Sequence, residues 1–182
     1  VPEVAWATGG SRMFLQPGDK VSVRDLISGV IVDSGNDAAV TLATYIAGTQ
    51  NAFVSMMNHQ TKRLGMSNTH FADVMGLPAP NLYTSAHDMA LLAHAIVTQY
   101  PQYLDWFKQK HYSYGGIDQS NFNKLLFIYP YALGLKTGST DTAGFSLVSL
   151  AKRPDSPLML IGVVLGAPTN MTVANERKAL LS

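Results

Sequence analysis

Leu133-Gly134-Leu135-Lys136-Thr137-Gly138-Ser139 marks the point in this 182-residue chain where the period of the apolar residues changes. Beyond it, Ala143 to Leu150 and Leu158 to Leu165 are apolar runs of strand length, separated by the turn-forming stretch from Lys152 to Pro157. The pattern predicts a β-hairpin. A strand over Leu133 to Thr137 should lead into it through the turn residues Gly138 to Asp141, which puts Lys136-Thr137-Gly138 on or at the end of a sheet strand. Met171 to Leu181 reads as a closing amphipathic helix.

Upstream, the spacing is helical. Ser22-Val-Arg-Asp25 is a cap of the Ser-x-x-acid type, and Val23, Leu26, Ile27, Val30 and Ile31 follow at helical intervals to near Asp33. Gly35 should break this helix, Asp37 cap a second one through Ala47, and Gly48 close it in a left-handed turn. Asp33 then needs no role beyond a helix end. Ser34 and Asn36 are expected on an exposed loop between the helices. A third helix is predicted from Asn51 to Leu64, with Phe53, Val54, Met57, Thr61 and Leu64 inward. A fourth, capped by Ser85-Ala-His-Asp88, should run through Tyr100 to Pro101. Tyr112, Tyr114, Phe122 and Phe127 suit cross-strand packing in a second hairpin. The sum is an α/β chain of the α+β kind, read as a single domain. Residues 1–130 would form a mostly helical part with the Ser34 loop, and 131–182 the sheet strands and closing helix.

Composition narrows the function. Apolar residues make up 47% of the chain and can supply a core, while charged residues are 14% against the roughly 25% of an average domain. A net charge of +1 offers no field for nucleic acid or an anionic membrane. No cysteine is present, which removes disulfides, thiol catalysis and cysteine metal sites. The five histidines include no His-x-x-x-His pair, and neither an acid nor a cysteine joins His87 and His94, so no metal or cofactor is expected. The longest apolar stretch, Leu158 to Ala167, is far short of the roughly 20 residues of a membrane span. The start at Val1-Pro2-Glu3 suggests a chain cut or processed upstream.

An acyl-transfer site would need a nucleophile, a proton relay, a cation for a carboxylate and donors for an oxyanion, and three of these tasks have candidates in two triplets, Ser34-Gly35-Asn36 and Lys136-Thr137-Gly138. Ser34 can pass a proton between a nucleophile and Lys136, whose ammonium also favours an anionic substrate end. Asn36 offers an amide to hold a peptide bond. Thr137 and Ser139 can hydrogen-bond a carboxylate, and Gly138 lets a substrate approach the strand backbone. Either triplet alone is an ordinary turn or strand end. Their order and spacing make the pair informative.

The two triplets resemble the second and third motifs of the active-site serine penicilloyl enzymes, whose first motif is a Ser-x-x-Lys. Trp6-Ala-Thr-Gly9, Met13-Phe-Leu-Gln-Pro-Gly-Asp19, Val21-Ser-Val-Arg-Asp25, Ser34-Gly-Asn-Asp-Ala38, Asp88-Met-Ala-Leu-Leu92 and Gly134-Leu-Lys-Thr-Gly138 extend the likeness. Together they resemble the low-molecular-mass D-alanyl-D-alanine carboxypeptidases of bacteria, peptidase family S11, from about Val4 to Leu181. The resemblance implies a serine β-lactamase/D,D-peptidase-like transpeptidase fold, its two N-terminal strands and nucleophile helix missing from this chain. It further implies hydrolysis of peptidoglycan stem peptides ending in D-Ala-D-Ala through an acyl-enzyme, acylation by β-lactams, and a periplasmic or cell-envelope location. Any inner-membrane association would use a segment not in this chain.

Several departures qualify the likeness. The lone Ser-x-x-Lys is Ser149-Leu-Ala-Lys152, in a predicted strand where side chains three apart face opposite ways, so the chain alone is expected to be inactive. Met75-Gly-Leu77 stands where relatives often show His-Gly-Leu. Thr169 to Asn175 lacks an arginine that many relatives use on the substrate carboxylate, and a short deletion falls near Gly9-Gly10. Two alternatives stay open. A serine β-lactamase of class A would hold its water with a glutamate, whereas Glu3 and Glu176 both lie outside the interval between the triplets. A non-catalytic module binding peptidoglycan peptides is the other.

Overall fold

The structure, a computed structural model, describes residues 1–172, 174 and 175. The closing helix expected over residues 171–181 therefore falls largely outside the described residues. The chain forms two compact units that interleave in sequence. One gathers Val1–Gln60, Phe71–Leu82 and Gln109–Phe122, the other Thr61–His70, Tyr83–Lys108 and the chain from Asn123 onward.

In the first unit, α1 (Glu3–Trp6) precedes α2 (Val23–Ser28), which runs directly into a π-helical turn, Gly29–Asp33. The Asp25 amide donates to Ser22 Oγ at 3.0 Å and that hydroxyl returns a bond to Asp25 Oδ2 at 2.6 Å, the reciprocal cap expected of Ser-x-x-acid. α3 (Asn36–Ala47) ends at Gly48, whose φ of 79° supplies the left-handed turn. α4 (Gln50–Arg63) follows and passes into the second unit at Thr61; Thr61 is buried, and Phe53, Val54, Met57 and, just past the helix end, Leu64 are half-buried, as the periodicity predicts. The strands β1 (His111–Tyr114) and β2 (Ile117–Ser120) pair antiparallel. Tyr112 and Tyr114, two apart on β1, face one way and pack on the core of Met13, Leu15, Leu26 and Ala38. The four-aromatic hairpin is realised only by these two tyrosines. Phe122 follows β2, and Phe127 sits on a later helical turn.

In the second unit, α5 (Ala86–Gln99) begins at the Ser85 cap, and Pro101 opens the 3₁₀ turn that leads into α6 (Leu104–Phe107). The short α7 (Leu125–Ile128) precedes a three-stranded antiparallel sheet in the order β3 (Ala132–Thr140), β4 (Gly144–Lys152), β5 (Met159–Ala167). Both faces of β4 are buried, which is why its apolar run is continuous rather than alternating. Leu147 and Ala151 pack with Leu125 and Tyr129, while Leu150 packs with Ala93, Leu104 and Leu135. Leu147 and Leu150 are each about 2 % exposed or less. Ser149 is fully buried and its hydroxyl donates to the Gly162 carbonyl at 2.9 Å, while Lys152 is exposed. Ser149 and Lys152 thus make no nucleophile pair.

Candidate active site

Ser34, Gly35 and Asn36 belong to the first unit and Lys136 to Ser139 to the second. Ser34 closes the π-turn in a left-handed conformation, φ 53° and ψ 35°, which a non-glycine residue adopts at a cost. The turn is tied from both sides. The Gly35 amide donates to the Gly29 carbonyl at 3.0 Å, and the Asn36 amide to the Ser11 carbonyl at 2.8 Å. A side chain at Gly35 would crowd its neighbours, since a Cβ there would stand 3.0 Å from Asp37 Oδ1 and 3.2 Å from the Met13 nitrogen.

Two sequence expectations need correction here. Asn36 is not on an exposed loop but is the first residue of α3, 8 % exposed, and its Nδ2 donates to the Gly9 carbonyl at 2.8 Å. The Gly9-Gly10 segment, marked in the sequence by a deletion, is what reaches Asn36. Gly10 must stay small because its Cβ would meet Asn36 Nδ2 at 2.6 Å. Asp37 does not cap α3 from the N-cap position, which is Gly35. Its carboxylate instead reaches back to accept from the Met13 and Leu15 amides at 3.0 and 3.1 Å, besides Ala38 at 2.9 Å. Asp37 therefore ties the Met13–Leu15 strip to the helix that begins with Asn36.

Asp33, given only a helix-end role from sequence, is 1 % exposed, and neither carboxyl oxygen has a hydrogen-bond partner among the described residues. Burial, and then the Asp37 and Asp118 charges, raise its pKa to about 7. No linear signal marks this, because the enclosing groups come from remote segments.

On β3, Lys136 is half-buried and donates Nζ to the Thr137 carbonyl at 3.0 Å. Burial lowers its pKa to about 8. Lys136 pairs with Val148 and Thr137 with Leu147 across the ladder to β4, and β3 is an edge of this three-stranded sheet. Gly138 and Ser139 are exposed, and nothing stands within 4 Å of where a Gly138 Cβ would lie. Upstream of Lys136, Gly134 (φ 135°) is packed so that its Cβ would fall 2.7 Å from Phe107 Cβ, which fixes β3 against α6. The strand thus presents a weakened cation, a hydroxyl and an open glycine in sequence.

The aspartates between the two triplets are occupied elsewhere. Asp88 is fully buried and accepts from the Asn68 amide at 2.8 Å and Thr69 Oγ1 at 2.7 Å. Although burial pushes its carboxyl up, the bonds from Thr69, Asn68, His87 and Ser85 hold it below the usual range. Asp73 accepts from the Met75 and Gly76 amides, Asp105 pairs with Lys108, and Asp118 accepts from Ser113. Among the described residues no group of three His, Cys, Asp or Glu could hold a metal ion.

Comparison with known proteins gives a consistent answer. The family described as D-alanyl-D-alanine carboxypeptidase, peptidase S11, matches residues 1–169. The D-alanyl-D-alanine carboxypeptidase DacC of Escherichia coli is 45% identical over 98% of this chain and 46% of its own length. DacF of Bacillus subtilis is 36% identical over 92% of the chain and 43% of its length. The chain thus spans about half the length of such curated relatives. Among solved structures, penicillin binding protein 5 of Haemophilus influenzae superposes with a TM-score of 0.93 at 40% identity, covering 98% of this chain and 53% of that one. The Streptomyces K15 DD-transpeptidase superposes at 0.85 and 29% identity, covering 94% and 71%.

Proposed function

The chain belongs to the D-alanyl-D-alanine carboxypeptidase family, with its α+β penicillin-binding fold, and on that premise we propose that it is part of a serine-type carboxypeptidase acting on peptidoglycan peptides that end in D-Ala-D-Ala. In this reading the two units form one catalytic domain. The carrying observation is Lys136, a half-buried amine whose pKa is lowered to about 8, at the head of an open Thr137-Gly138 edge. Such a group can exchange a proton near neutrality and still attract a carboxylate.

Each residue has a separable task. A serine outside these 182 residues attacks the carbonyl of the penultimate D-alanine, losing its proton as the C–O bond forms. Ser34 relays a proton in concert with Lys136, and the departing amine of the terminal D-alanine takes one up as the C–N bond breaks. Asn36, its Nδ2 engaged by Gly9, offers Oδ1 to a substrate N–H. Thr137 and Ser139 hold the terminal carboxylate, and Gly138 admits the peptide backbone alongside β3. Penicillin would follow the same path to an acyl-enzyme. The same family premise supports an envelope location. A β-lactamase has less support, since the aspartates of the interval serve local structure.

Intact-mass measurement with benzylpenicillin tests this reading. The protein translated from the whole gene should gain one penicilloyl group and release D-alanine from a D-Ala-D-Ala peptide, while the 182-residue chain should gain none. A stoichiometric adduct on the short chain would overturn the assignment and move the nucleophile among these residues, with Ser34 the first to examine.

A further inference from the structure

The buried carboxyl of Asp33 has no part in the acyl-transfer steps, yet it ends the turn that delivers Ser34. We propose that Asp33 is a protonation-dependent positioning residue, whose enclosed carboxyl fits the closed Ser34-Gly35-Asn36 turn only as the neutral acid and opens it on losing its proton. The inference rests on the proposed role of Ser34 only for its catalytic consequence. Its structural part stands alone.

The surroundings of Asp33 carry it. The carboxyl is 1 % exposed and both oxygens lack a hydrogen-bond partner among the described residues, a situation an ionised carboxylate does not tolerate in an apolar interior. The elements packed on the turn are α2, α3, β1 and β2. Their charged and titratable groups are Arg24 and Asp25 on α2, Asp37 and Tyr45 on α3, His111, Tyr112 and Tyr114 on β1, and Asp118 on β2, with Arg12 on the Ser11–Leu15 strip that also packs on the turn. Arg24 and His111 are exposed. Asp25 accepts from Tyr112 OH at 3.0 Å, and Asp37 takes three backbone N–H donors. The arrangement divides two neighbouring carboxyls: Asp37 is supplied with donors and Asp33 with none. The charges that act on Asp33, those of Asp37 and Asp118, oppose its ionisation.

Opening the turn would let a charged Asp33 reach water, at the cost of the Gly35 and Asn36 amide bonds to Gly29 and Ser11. Between the ordinary carboxyl value, which Asp33 regains once the turn opens, and its raised value of about 7 in the closed turn, each pH unit favours that opening about tenfold, one proton being lost per event; above it both states are ionised and the dependence levels off. The left-handed Ser34 is then no longer held, and the relay hydroxyl leaves its place.

The test uses the protein translated from the whole gene, with three readouts against pH from 5 to 9. These are the ¹³C carboxyl shift of Asp33, hydrogen exchange at the Gly35 and Asn36 amides corrected for intrinsic chemistry, and acylation by benzylpenicillin. Wild type should show the carboxyl titrating near neutrality, with amide protection falling about tenfold per pH unit as that midpoint is approached from below and levelling off above it. Asp33→Asn should abolish the extra pH dependence of exchange and any fall in acylation that follows it. Should Asp33→Asn fail to fold, the wild-type carboxyl and amide titrations decide alone. An Asp33 ionised throughout, a titration with no change at Gly35 and Asn36, or a folded Asp33→Asn with the wild-type profile would each overturn the proposal. Exchange that follows Asp33 in a protein that penicillin never acylates would support it while sinking the proposed function.

Discussion

Lys136 has to carry a cation at a half-buried place, and its neighbourhood decides how far it succeeds. Its Nζ donates to the Thr137 carbonyl, a dipole and not a charge, and burial lowers its pKa to about 8. In the protein translated from the whole gene, Lys136→Ala should lower penicillin acylation at least about a hundredfold, the lower range for a positioned proton-transfer or charge contribution. An unchanged rate would remove Lys136 from the mechanism. The same residue makes a stability prediction. Because the folded state releases its proton more readily than the unfolded one, the unfolded state binds more protons between about pH 8 and the ordinary lysine value, and stability rises with pH there. Replacing Lys136 with Met should stabilise most below pH 8, and the difference in urea midpoint from wild type should narrow as the pH rises through that window.

At the scale of elements, the two acid-bearing helix starts look alike in sequence and differ in what they hold. Ser22 and Asp25 satisfy each other at the exposed start of α2, so Ser22→Ala should cost only about 1 kcal/mol, the usual worth of a cap. Asp37 is 1 % exposed and accepts amides from Met13 and Leu15, more than twenty residues away. Asp37→Ala would leave those buried donors unsatisfied at about 1–3 kcal/mol each, and should lower the unfolding free energy by about 2–5 kcal/mol in urea titrations. Equal losses for the two variants would show that Asp37 is merely a cap. Periodicity located α2 to α5 and all three long strands to within a few residues, because each has a one-sided or two-sided apolar pattern fixed by its own spacing. It misassigned Phe122 and Phe127 because aromatic content alone does not say where a strand stops.

For the molecule as a whole, the fate of an acyl-enzyme turns on whether any base is aimed at a water beside the ester. Asp73, Asp88, Asp105 and Asp118 are engaged by backbone amides, Thr69, Lys108 and Ser113. The penicillin adduct of the protein from the whole gene should therefore persist for minutes or longer while a D-Ala-D-Ala peptide turns over. Adduct mass and released D-alanine followed in parallel measure both. Rapid multiple-turnover lactam hydrolysis without D-alanine release would make β-lactamase the better description.

By itself the sequence determined the order of elements and, through the two triplets and the stretches around them, the family. Those properties reside in local spacing and in short motifs that can be read along the chain. Tertiary structure alone decided that Asn36 is buried and tied to Gly9, that Asp37 reaches back to Met13 and Leu15, that Ser149 spends its hydroxyl on Gly162, and that Asp33 is enclosed without a partner among the described residues. Each of these depends on which distant backbone group lies within about 3 Å of a polar atom. Periodicity fixes the face a residue presents, and folding fixes what that face meets.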